Sequence, residues 1–369
     1  MPSTCVIRRL CVSATVFVSL GLSGGVSTPL QAQATMQVIA SGLDNPRKLA
    51  FGPDGALYVA EAGRGGASAL CSIDPGTGAN RCYGPSGAVT RITGIGVHSR
   101  IVSDLPSIAP ASGNDASGPN DIGFGFNTTW VLIGYGGNPL QRTAFEAANI
   151  RLGSLVRVDG IGQWAHVLDV SDHELTNPDG LALDTNPFAM SVLSGRIVVA
   201  DAGANALVNI GLFGQTSTLA TFPPRAVGPA TVQSVPTTVI EGPDGSLFVG
   251  ELTGAPFPVG AAGVYRVPAG GGTPVVVATG FTTIIDIGID ADRGFAYVLE
   301  HDADGIIPPR GPGVDGRLIQ INLTNGTQTV IAKDGLVKPG GLAIGPEGAL
   351  YVTTRTNQAG VGGVVRIVP

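Results

Sequence analysis

The chain has 369 residues, with 56 glycines, 27 prolines, only 13% charged residues and a net charge of −6. Its basic residues are scattered, with no basic stripe interleaved with aromatics, which argues against a nucleic-acid partner. Val, Ile and Leu runs cut by Gly-Pro-Asp-Gly turns point to one repetitive all-β domain, although length alone would allow two.

Residues 1–34 read as an export signal. Arg8 and Arg9 form a short positive start, and residues 10–22 are apolar but too short to span a bilayer. The small-residue stretch Ala32-Gln33-Ala34 fits a cleavage site, so the mature chain is expected to begin near Thr35 and to be periplasmic or secreted. No later segment has the length and apolarity of a membrane span. Cys5 and Cys11 would leave with the signal. Cys71 and Cys82 remain inside one Gly-rich insertion, where an oxidising compartment favours a disulfide.

From residue 35 the chain repeats itself. The first unit is 45–61 (NPRKLAFGPDGALYVAE), the second begins at 120–126 (NDIGFGF), and the third pairs 177–183 (NPDGLAL) with 196–201 (RIVVAD). The fourth is 238–251 (TVIEGPDGSLFVGE), and the fifth pairs 285–290 (IDIGID) with 295–300 (FAYVLE). The sixth is 338–353 (KPGGLAIGPEGALYVT). Spacings of about 50 to 75 residues fit long-looped propeller blades. Second hairpins such as 263–267 with 274–278, and 316–321 with 327–332, complete four strands, A to D, per blade.

The last unit stops after strand C, at 363–368. Its missing strand D is matched at the other end of the chain, where 36–42 (MQVIASG) resembles 329–335 (TVIAKDG). The expectation is a six-bladed β-propeller of four-stranded blades over 35–369. Pairing of 36–41 with 363–368 would close it and leave no open sheet edge.

The A–B and C–D turns are short. The long segments are B–C loops (62–86, 136–152, 301–315) and D–A loops (105–119, 222–235), which share one face, so binding or chemistry is expected there. Strand-A starts place Asn45, Arg47, Asn120, Asp121, Asn177, Asp179, Thr238 and Lys338 on that face as ligand contacts, with Arg355 in the last blade. The ends of strands B contribute Glu61, Asp201, Glu251 and Glu300. Carboxylates with asparagine and backbone oxygens form the ligand set of a hard cation such as Ca2+; the alternative is that each acid caps its own turn. His173 and His301 fall in loops of this face and are the candidate acid–base groups. His98 and His166 fall in outer hairpins and read as structural.

Residues 311–316 match G-x-G-x-x-G but precede a strand rather than a helix. Asp302-Ala303-Asp304-Gly305 lacks the later glutamate of a calcium loop. His173-Glu174 is not followed by a second histidine at zincin spacing, and neither G-x-S-x-G nor a P-loop occurs.

The opening GLDNPRKLAFGPDGALYVAEAGRGG, the Cys71/Cys82 insertion with GPSGAVTRI, and the later LTNPDGLALD, VPTTVIEGPDGSLFVGELTGAPFPVGAAGVYRV and GRLIQI resemble the ScyD/ScyE family over essentially the whole mature chain. The resemblance implies an extracytoplasmic propeller linked to late steps in making scytonemin, an indole-derived pigment. Single A–B repeats also resemble NHL repeats and the gluconolactonase and strictosidine-synthase propellers, whose metal sites lie at the channel mouth. Two functions follow as expectations. One is a propeller binding a small molecule or protein on the loop-rich face. The other is a metal-dependent enzyme using the channel-mouth acids.

Overall fold

The computed structural model describes residues 34–306 and 315–369. The expected export signal at 1–34 therefore lies almost wholly outside the described residues, as does most of the 311–316 motif. Six four-stranded antiparallel sheets form the ring of a six-bladed β-propeller. Blade 1 runs through Pro46–Phe51, Leu57–Glu61, Asn80–Gly94 and Val97–Ala109. Blade 2 uses Pro119–Gly125, Thr128–Ile133, Ser154–Val158 and Trp164–Asp169. Blade 3 uses Pro187–Leu193, Arg196–Asp201, Ala206–Gly211 and Thr216–Thr221. Blade 4 follows with Pro236–Glu241, Leu247–Glu251, Ala262–Val267 and Val275–Phe281. Blade 5 has Ile284–Asp290, Phe295–Glu300, Arg317–Asn322 and Gln328–Ala332.

Blade 6 is built from both ends of the domain. Its strands A to C are Leu342–Ile344, Leu350–Thr354 and Gly362–Val368, and strand D is Thr35–Leu43. The seam is antiparallel, with Met36 opposite Ile367 and Ser41 opposite Gly363, in the expected register. Alternating apolar residues bury between neighbouring blades, giving an apolar layer at each of the six blade interfaces. The seam strand supplies Ile39, Ala40 and Leu43 to the layer between blades 6 and 1.

The turn repeat has a packing reason. A Cβ on Gly52 would come within 2.5 Å of the Tyr58 ring, and one on Gly242 within 2.4 Å of Phe248. Each A–B turn therefore needs glycine where the aromatic of the following strand folds back over it. Gly55 and Gly245 then take φ +76°, a conformation open to glycine without Cβ strain.

Two expected boundaries are corrected. Residues 177–183 are not strand A of blade 3 but part of the preceding loop, and the strand is Pro187–Leu193, with Leu193 opposite Arg196. The two strands are joined by Ser194-Gly195, a tight turn that requires strand A to lie immediately before it. In blade 1, parts of the expected loops are strand, because the outer hairpin extends past the sheet, and Cys71–Ile73 pairs on as a further strand. Cys71 and Cys82 lie opposite each other there and form the expected disulfide.

Candidate functional site

The four acids at the ends of strands B are almost fully buried. A buried carboxylate needs partners, and each finds them in its own blade or in the segment leading into it. Glu61 accepts the Asp44 N–H at 2.7 Å and pairs with Arg100 at 2.7 Å. Asp201 accepts from Asn186 N and Thr185 Oγ1, each at 2.6 Å, and from Gly203 and Ala204 in its own turn. Glu251 takes both arms of Arg225, at 2.5 and 2.7 Å, and Glu300 takes Arg317 at 2.5 Å and Thr282 N at 2.7 Å. Burial pushes the Asp201 carboxyl up to about 6 and raises Glu251 and Glu300. These acids tie each D–A segment to its blade. The structure does not bring them together: among the described residues no group of three His, Cys, Asp or Glu side chains is placed to hold a metal ion.

What does converge is a set of side chains from the innermost strands. Lys48 of blade 1 reaches past blade 6 to blade 5, where its ammonium lies 2.9 Å from Asp286 and donates to the Ile285 carbonyl at 2.5 Å. Asp286 also accepts from Thr238 of blade 4 at 2.8 Å and from the Leu342 N–H of blade 6 at 2.8 Å. One carboxylate thus joins four blades. Three blades away around the ring, Asp121 repeats the contact by accepting the Met190 N–H of blade 3 at 2.7 Å. The Lys48 ammonium also lies 5.7 Å from the centre of the Phe188 ring of blade 3. Burial pushes the Asp121 carboxyl up to about 7, with Lys48 opposing and Asp286 reinforcing the shift. Lys48, Asp121, Thr238 and Asp286 are all buried, so this network lies inside the ring of innermost strands.

At the mouth, His301 of blade 5 is bonded through Nδ1 to the Pro339 carbonyl of blade 6 at 2.7 Å. A carbonyl only accepts, so Nδ1 carries the hydrogen and Nε2 keeps a free lone pair. Burial, with the nearby Lys338 and Arg47 cations, lowers the imidazole to about 4, so it is neutral at physiological pH. Lys338 pairs with Asp302. Arg47 donates to the Ala116 carbonyl at 2.5 Å, while its buried Nε has no partner among the described residues. Of the expected site residues, Arg47 and Lys338 are near enough to His301 for their charges to act on it, with Asp302 paired to Lys338.

The other anticipated residues go elsewhere. Asn45 is buried and bonds the Gly63 and Gly113 carbonyls, and Asn120 bonds the Pro187 carbonyl. Asn177 and Asp179 lie in the loop before blade 3, where Asp179 accepts from Leu181 N and Asn205. Arg355 is exposed, at φ +51°. His173 is 7% exposed and packs against the outer strand of blade 3, with Thr216 and Thr218 hydroxyls at 3.2 and 2.8 Å. The structure therefore does not bring His173 and His301 together. Lys48 and Asp286 were not anticipated. The signal was the matched Asp121-Ile122-Gly123 and Asp286-Ile287-Gly288, the same acid-led phrase inside two inner strands.

No protein-family model matches the chain, and no curated protein matches it. Solved β-propellers do. A streptogramin B lyase is 13% identical, with 91% of this chain and 98% of that chain aligned and a TM-score of 0.48. A glucose dehydrogenase is likewise 13% identical, over 91% and 99%, at 0.48. A protein of unknown function from Bacteroides thetaiotaomicron VPI-5482 is 7% identical, over 91% and 76%, at 0.54. At these identities the likeness is one of fold alone. No helix among the described residues is long and apolar enough to cross a membrane.

Proposed function

We propose that this chain is an exported binding propeller, ScyD/ScyE-like, whose loop-rich face takes a small molecule at the channel mouth. The observation that carries the reading is His301, held through Nδ1 to the Pro339 carbonyl and depressed by burial and by the nearby Lys338 and Arg47 cations of two other blades, on the loop-rich face of the ring. The partnerless Arg47 Nε suits an anionic group, and the neutral His301 Nε2 suits a hydrogen-bond donor beside it. A ligand carrying a carboxylate and an N–H, such as an indole carboxylic acid, satisfies both, in keeping with the family resemblance. The metal-dependent alternative gains no support from the strand-B acids, which are already engaged in their blades or the segments leading into them.

Titration of the purified mature protein with indole-3-acetate, followed by calorimetry, tests this. Saturable binding is expected, weakened about tenfold or more in Arg47→Gln and in His301→Phe. Absence of binding, or binding indifferent to both changes, overturns the assignment of the mouth. The intact mass of the secreted chain tests export separately, with a start near Thr35 expected and a retained leader counting against it.

A further inference from the structure

The opposite face carries a second feature. Strand register sets Phe124, Thr129, Val158 and Trp164 side by side across the four strands of blade 2. This row forms one wall of a groove of about 920 Å3, bounded by Pro53 of blade 1. Such a volume falls within the range of about 300–1,000 Å3 found for small-molecule sites.

The A–B turn of blade 2 departs from the Gly-Pro-Asp-Gly rule and overhangs this groove. Phe126 and Asn127 both adopt left-handed backbone, at φ +55° and +54°. A bulky aromatic is strained there, yet Phe126 gains no burial in return, being 42% exposed. Its ring meets Trp130 edge to face at 6.4 Å. Trp164 lines the groove, whereas Trp130 lies on the opposite face of the sheet, where with Phe126 it lines a separate cavity. Polar groups line the groove's rim: Arg157 and Gln163 are exposed, and Arg157 forms no ion pair with any described residue. Asp159 uses one oxygen, Oδ1, to hold its own turn through Ile161 N and Gln163 N.

We infer that this groove is a carbohydrate-binding subsite, distinct from the channel mouth, for a neutral oligosaccharide. A sugar ring presents a C–H face that stacks on an aromatic and a rim of hydroxyls that both donate and accept. The groove offers the half-buried rings of Phe124 and Trp164, which rest on the layer between blades 1 and 2, with a guanidinium, a carboxylate and an amide at its rim. Equal numbers of cationic and anionic groups, Arg157 and Asp159, favour a neutral sugar over a charged one.

Tryptophan emission is the direct readout, because Trp164 lines the groove and Trp130 touches Phe126. Cellohexaose, laminarihexaose and chitohexaose are titrated into the mature protein. At least one is expected to shift the emission saturably, with Kd of about 1 mM or tighter. Phe126→Gly should weaken that binding about tenfold while keeping or raising the melting temperature, since glycine relieves the positive φ. The double change Arg157→Ala/Gln163→Ala, at exposed positions, should weaken it similarly. The proposal fails if none of the three sugars shifts the emission, or if binding is indifferent to both variants. It also fails if emission shifts with protein concentration alone, which would show a second copy covering the groove.

Discussion

At the scale of single residues, the inner ring sets the pH response. The Asp121 carboxyl titrates at about 7 in the folded chain and near 4 when unfolded. Between those values the folded state holds the extra proton, so stability falls as pH rises through the window, by up to about 1.4 kcal/mol per pH unit. Asp201, pushed up to about 6, and Glu174, pushed up to about 7, act in the same direction, while His301, lowered to about 4, and His173, also lowered, oppose them. Asp121→Asn should remove the falling contribution of Asp121 and so shift the slope toward stability that rises with pH, as read from urea midpoints at about pH 4.5 and about pH 6.5. An unchanged slope would mean that Asp121 does not titrate there. Lys48→Met should cost about 3–5 kcal/mol, because it leaves Asp286 buried without its cation. The matched Asp-Ile-Gly phrases marked both acids in the sequence, but the pairing of Lys48 with Asp286 was not legible. Lys48 lies 238 positions before Asp286 along the chain, and only ring closure makes them neighbours.

At the scale of the element, the unit is a strand B ended by an acid that ties its D–A segment. Chain order showed that acid in four blades, and its chemistry suggested a metal. Burial explains the difference, because each carboxylate is desolvated deep in its blade and takes an arginine or amide partner before any ion could be shared. Arg225→Ala should therefore cost about 3 kcal/mol by stranding Glu251, while Arg225→Met with Glu251→Leu should recover much of the loss. If the double variant is as unstable as the single one, the pair does more than neutralise itself. The misplaced strand of blade 3 has an equally local cause. Asn177-Pro178-Asp179-Gly180 carries the same turn chemistry as a true A–B turn, but Asn177 at φ +48° closes a short 3-10 helix instead.

At the scale of the whole molecule the ring was legible, because the same turn and strand phrases recur and one strand is missing at the end where another is spare. The seam makes the first strand more than an appendage. Removing residues 35–43 leaves the outer edge of Gly362–Val368 unpaired, its other edge still held by Leu350–Thr354, and strips Ile39, Ala40 and Leu43 from the layer between blades 6 and 1. An exposed sheet edge beside an opened apolar layer invites association. The truncated chain should lose its cooperative melting transition and aggregate. Loss of contacts alone would explain that result equally well, so closure needs a test that keeps every contact. Thr35 and Val368 are register partners, within about 6 Å across an antiparallel pair. A linker of about four residues can therefore join Pro369 to Thr35. New ends can be cut between Asn325 and Gly326, in the exposed C–D turn of blade 5. This permutant retains the seam strand and moves the break to a single hairpin within one blade. It should keep the parent's oligomeric state and melt within about 5 °C of the parent, since a loop-tip change far from the core costs about 1 kcal/mol. A permutant as unstable as the truncation would show that the order of synthesis, not the closed ring, holds the propeller together.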